Sequence, residues 1–116
     1  MKKLLLAAVL AVATFWVSPV EAQSLYFKAT AYCTQGKTAS GVRVGPGQIA
    51  ADWSILRKGT LVFIAAGKYS GFYTVTDRGG RINGRRIDIW MPKCSDAWRF
   101  GTKRVRVDIL PQRRKG

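Results

Sequence analysis

The chain contains no histidine, and its only glutamate is Glu21. Triads that need an imidazole base are therefore excluded. A structural zinc site, which wants four Cys or His ligands, has only Cys33 and Cys94 to draw on and is set aside. No glycine-rich phosphate loop is present. The one long apolar stretch, Leu4 to Val17, is shorter than the ~20 residues of a membrane-spanning helix. Acids are scarce: six Asp+Glu stand against 20 Lys+Arg, for a net charge of +14. Proton transfer, if the chain performs any, falls mostly on Asp52, Asp77, Asp88, Asp96 and Asp108.

The apolar stretch follows Lys2 and Lys3 and ends near Val20-Glu21-Ala22, the pattern of a secretory signal cleaved after Ala22. A retained N-terminal anchor is the alternative. With no Cys near that point, a lipid anchor is not expected. Residues 1–22 are thus read as signal, and the product as exported to the periplasm, cell wall or exterior. Residues 23–116 form one small domain that buries only ~60–65% of its unfolded surface. Export permits a disulfide between Cys33 and Cys94, worth ~4 kcal/mol in the chain-entropy model. Two free thiols are the alternative. The basic balance attracts polyanions, and an exported protein meets anionic envelope polymers before nucleic acid. The tail Arg113-Arg114-Lys115 reads as a nonspecific charge run.

Strand patterns dominate. Leu25–Tyr32, Gln48–Ala51, Thr60–Ala65, Phe72–Asp77, Ile87–Met91 and Arg104–Leu110 make six, punctuated by glycine turns. In the last, Val105, Val107 and Ile109 alternate with Arg104, Arg106 and Asp108. One short helix fits Ser95–Phe100, with Ser95 as cap and Gly101 as stop. Short strands with almost no helix point to an all-β barrel or sandwich.

The aspartates differ in meaning. Asp96 sits in the first turn of the expected helix, where its charge suits the dipole. Asp108 stands beside Arg106 as a surface ion pair. Asp77 and Asp88 bracket the run Arg78-Gly79-Gly80-Arg81-Ile82-Asn83-Gly84-Arg85-Arg86-Ile87. Asp is disfavoured in strands, so both need a reason. One is structural: Asp77 holding Gly79 and Gly80 in an Asx-type turn. The other is chemical: apolar neighbours and a second carboxylate raise a carboxyl pKa toward a general acid. Asp52 precedes Trp53, a pairing suited to sugar, although Trp53, Trp90 and Trp98 also suit a core. Thr38-Ala39-Ser40-Gly41 is a polar loop able to offer hydroxyls.

Ala31-Tyr32-Cys33, Thr38-Ala39-Ser40-Gly41, Ile49-Ala50-Ala51-Asp52, Lys58-Gly59-Thr60, Asp77-Arg78-Gly79-Gly80, Asn83 to Trp90 and Ala97 to Gly101 occur in an order that resembles the three-aspartate (3D) domain of bacterial cell-wall proteins. The resemblance implies a six-stranded double-psi β-barrel with one short helix. It also implies a lytic transglycosylase cleaving the MurNAc–GlcNAc β-1,4 bond of peptidoglycan without water. Asp88 would be the catalytic acid/base, and Asp52, Asp77, Thr38, Gly79 and Gly80 would bind substrate. No cofactor or metal is implied. The expected partners are peptidoglycan glycan strands and anionic polymers, with no specific nucleic acid, no membrane after cleavage, and a monomeric state. Two positions depart from the family: Arg78, often Thr, and Asn83, often Lys. A cation beside the carboxylates opposes a general acid. A noncatalytic, expansin-like wall-binding module is the rival reading.

Overall fold

The computed structural model describes residues 23–112; the expected signal and the basic tail lie outside them. Six strands, β1 (Gln23–Tyr32), β2 (Gln48–Ala51), β3 (Leu61–Ala65), β4 (Gly71–Asp77), β5 (Arg86–Trp90) and β6 (Lys103–Ile109), close into a barrel in the order β1-β5-β2-β4-β3-β6. Two pairs are parallel, β1 with β5 and β2 with β4; the others are antiparallel. This is the double-psi barrel expected. β2 falls at the expected bounds, and the other strands shift by a residue or two from the sequence reading, β1 by starting at Gln23. A single 3-10 turn at Gly67–Tyr69 was not anticipated.

Alternation decides which side of each strand faces inward. Phe27 and Ala29, Val62 and Ile64, Ile87 and Ile89, and Val105 and Val107 all point into the barrel and are buried. Ile49, Ala51 and Val75 complete the layer. Each large apolar side chain here contributes about 1.5–3 kcal/mol by leaving water. The residues between them, such as Lys28, Thr30, Arg86, Asp88 and Arg104, consequently lie on the outer face.

The helix, α1 (Cys94–Phe100), starts one residue earlier than expected. Lys93, not Ser95, is its N-cap, and no side chain caps it. The reason is the bridge: Cys94 is bonded to Cys33, which seats the helix against the end of β1. Ala97 and Phe100 face inward, Asp96 lies in the first turn, and Gly101 ends the helix at φ 63°. No helix among the described residues is long and apolar enough to cross a membrane.

Candidate functional site

The site is a row of side chains running across four strands. Thr30 on β1 stands opposite Asp88 on β5. Asp88 stands opposite Ala50 on β2, and Ala50 opposite Asp77 on β4. The last pairing needs an irregularity. The register between β2 and β4 slips after Ile49, so that Asp77 rather than Thr76 meets Ala50. Such bulges re-aim a side chain and are common beside active sites. Ala50 is buried and carries only a methyl group, so β2 places no large side chain between the two carboxylates.

Asp88 is half-buried, and its Oδ1 accepts a hydrogen bond from the Thr30 hydroxyl at 3.1 Å. Desolvation raises its pKa above the ordinary 3.8, and the charge of Asp77 adds to the rise; the Thr30 bond and the charge of Arg86 oppose it without reversing it. Among the described residues the one ion pair is Arg106 with Asp108, so neither Arg78 nor Arg86 is locked to Asp88.

Asp77 is held by backbone. Its Oδ1 accepts from Ala39 N–H at 2.9 Å and from Arg78 N–H at 2.8 Å. The expected turn with Gly79 and Gly80 does not form in that way. The Ala39 bond instead fastens the Thr38–Gly41 loop over the end of β4, helped by Ser40 N–H donating to Thr76 O. Thr38 is buried within that loop: its hydroxyl donates to Val42 O at 2.8 Å and lies 2.9 Å from Ser40 Oγ.

The glycine turn is anchored by Asp52. Its Oδ2 accepts from Gly84 N–H at 2.8 Å, while Oδ1 takes the Ser54 hydroxyl and Ser54 N–H. These bonds, with a smaller contribution from Arg78, lower its pKa. Asp52 thus reaches the site through the turn rather than through a charge felt by Asp88. Gly84 sits at φ 72°, where a side chain is disfavoured. Gly79 is needed for another reason, since a Cβ there would collide with Ile82; Gly80 meets neither constraint. Trp53 is half-buried and donates its indole N–H to Asp77 O at 3.0 Å, so it braces the site instead of stacking flat in the open. Trp90 is buried and bonds Thr34 O, whereas Trp98 is exposed on α1.

Tyr32 is the residue the sequence reading missed. Its hydroxyl oxygen is buried without a well-aligned hydrogen-bond partner among the described residues. Burial, then the fields of Asp77 and Asp88 and an imperfect contact with Asp77, raise its pKa above 10.0. It is a neutral donor facing two carboxylates. The signal available was its position: two residues beyond Thr30, on the same face of β1.

The arrangement can therefore favour the neutral form of Asp88, set a second carboxyl group beside it, and hold a buried phenol against both. It holds no group of three or more acids, Cys or His close enough to form a metal site among the described residues.

Known proteins share this framework. The cell wall-binding protein YocH of Bacillus subtilis is 33% identical over 97 residues, which are 76% of this chain and 33% of YocH. The chain thus spans about a third of that relative's length. The lytic transglycosylase MltA of Escherichia coli superposes with a TM-score of 0.57 at 23% identity, over 70% of this chain and 29% of MltA. An expansin of Clavibacter michiganensis superposes with a TM-score of 0.59 at 16% identity, over 79% of this chain and 52% of the expansin. Both structural likenesses establish the fold. The 3D domain matches residues 47–111, a stretch that includes Asp52, Asp77 and Asp88, and the chain belongs to the 3D domain family.

Proposed function

We propose that the protein is an exported peptidoglycan lytic transglycosylase with Asp88 as its acid/base. The observation that carries this reading is the state of Asp88: half-buried, raised in pKa, bonded to Thr30 and in no ion pair among the described residues. Neutral Asp88 gives its proton to the glycosidic oxygen as the bond from that oxygen to C1 of MurNAc breaks. The carboxylate so formed takes the proton of the MurNAc 6-hydroxyl, whose oxygen bonds to C1. The product is a 1,6-anhydro end, no water is consumed, and Asp88 returns to its starting form. One residue acts first as acid and then as base. Asp77 keeps the proton on Asp88 by repulsion. The Gly79-Gly80 turn lies beside the sugar, while Thr38 acts from beneath by shaping the Thr38–Gly41 loop and Tyr32 by packing its buried hydroxyl against the carboxylates. MltA, which shares the fold, has been solved with chitohexaose bound, in keeping with a glycan lying along this face.

Arg78 was the feature most able to oppose this chemistry, but its field acts on Asp52 and does not enter the balance at Asp88. Mature protein incubated with peptidoglycan should release 1,6-anhydro-muropeptides detectable by mass spectrometry, and Asp88→Asn should release none. A silent native protein, or undiminished product from the variant, sinks the assignment.

A second reading is a noncatalytic wall-binding module, exported to the cell envelope. It is favoured by the name of YocH and by the openness of the site: neither of two large concavities on the barrel is lined by Asp77 or Asp88. Retention on peptidoglycan with no anhydro product is its signature.

A further inference from the structure

Two residues back from the Thr30–Asp88 pair along β1 and β5, the same outer face changes character. Arg86 stands opposite Lys28 on β1, and Lys28 stands opposite Arg104 on β6. Three cations on three adjacent strands form one row, each about 5 Å from the next at Cβ. Like charges directly opposite one another are unfavourable. All three are exposed, and among the described residues no carboxylate pairs with any of them. Arg85 and Lys103 flank the row, and a concavity of about 510 Å³ opens over its Lys28 and Arg104 members, lined also by Tyr26, with Arg86 outside it. The backbone is firm there: Lys28 N–H donates to Arg85 O at 2.9 Å. Asp108, the nearest acid on β6, is already taken by Arg106 and by the Ser24 hydroxyl.

We infer that this face of β5, β1 and β6 binds an anionic phosphodiester polymer of the envelope, a chain of polyol phosphates without bases. The row is about 10 Å long, too long for one phosphate to bridge, and its cations repeat at the spacing of strands. A chain carrying one phosphate per short polyol unit is the complement of such a repeat. Arginine, which supplies most of the cluster, grips phosphate oxygens with two parallel N–H bonds. A single-stranded nucleic acid would also need open aromatic faces for its bases. Tyr26 is the exposed aromatic in the lining, and the Arg104 guanidinium already covers it, 4.7 Å from the ring centroid. Neutral sugars, which suit the aspartate row, give these cations nothing to pair with. The two surfaces adjoin but take different ligands, so this site stands or falls separately from the transglycosylase reading.

The test is fluorescence anisotropy with labelled poly(glycerol phosphate) across a series of salt concentrations. The variant Lys28→Gln/Arg86→Gln/Arg104→Gln is compared with Lys37→Gln/Arg43→Gln/Arg57→Gln, which loses the same charge elsewhere. The first should bind at least about tenfold more weakly and lose about two units of salt slope, near 0.7 per cation removed. The second should change far less. Because the first variant removes repulsion, its unfolding midpoint should not fall, which separates lost binding from lost folding. Equal losses in the two variants would overturn the site in favour of net charge alone. Oligothymidylate or polyglutamate of matched charge binding as tightly as the polyol phosphate would overturn the choice of ligand.

Discussion

Asp52 and Asp88 are pulled from the ordinary carboxylate pKa in opposite directions by their donors and their burial. Asp52 collects Ser54 and Gly84 donors at the surface, and its charged form is favoured. Asp88 has one hydroxyl donor, burial and a neighbouring carboxylate, and its neutral form is favoured. Linkage then gives opposite signs. A lowered folded pKa contributes stability above the unfolded value near 3.8, lost as pH falls through the folded value. A raised one favours the fold only in acid, an advantage lost as pH rises through the folded value. Asp88→Asn should therefore raise the unfolding midpoint at neutral pH, with the gain shrinking toward pH 3. Asp52→Asn should lower it at neutral pH, with the loss shrinking in acid. Thermal unfolding across pH checks both, and midpoints that shift alike would show that the two environments are not distinct. The sequence carried Asp88's apolar neighbours in plain view. It did not carry Tyr32, because a lone tyrosine at a strand end reads as core until the opposite strand is known.

At the scale of elements, six strands and their faces were legible because alternation writes burial into the chain. Val105, Val107 and Ile109 against Arg104, Arg106 and Asp108 fix both a strand and its orientation. The pairing was less legible. Which aspartate holds the glycine turn depends on the antiparallel pairing of β2 with β5, which sets Asp52 beside the turn before β5, a relation between distant segments that no local spacing encodes. The turn was assigned to Asp77 by proximity in sequence; Asp52, 32 residues away, holds it. The same contact separates glycines that look alike. Gly84→Ala must place a Cβ at φ 72° while keeping the N–H aimed at Asp52, and should cost about 1–2 kcal/mol. Gly80→Ala meets open space at an ordinary φ and should be near neutral. Urea unfolding of the two variants decides it, and equal costs would mean that the backbone at position 84 relaxes without strain.

The whole molecule is a small barrel whose two ends are secured differently. At one end the Thr38–Gly41 loop and the turn at Gly84 are tied down by Asp77 and Asp52. At the end of β1 the tie is covalent, Cys33 to Cys94, across 61 positions. A domain of this size has a stability of only about 5–15 kcal/mol, so one bridge is a large fraction of it. Replacing both cysteines by serine should remove about 4 kcal/mol, the closure entropy of a loop that long. At about 4–8 °C per kcal/mol, the unfolding midpoint should fall by at least about 15 °C. The consequence reaches the site, because Tyr32 precedes Cys33 and shares the strand that carries Thr30. Once that strand end is loosened, the burial that raises the pKa of Asp88 weakens before the barrel itself opens. Below its own midpoint, the unbridged protein should then show a less elevated Asp88 titration, read by the carboxyl resonance in NMR across pH. An unchanged titration alongside a lowered midpoint would confine the bridge to global stability and separate it from the geometry of the carboxylates.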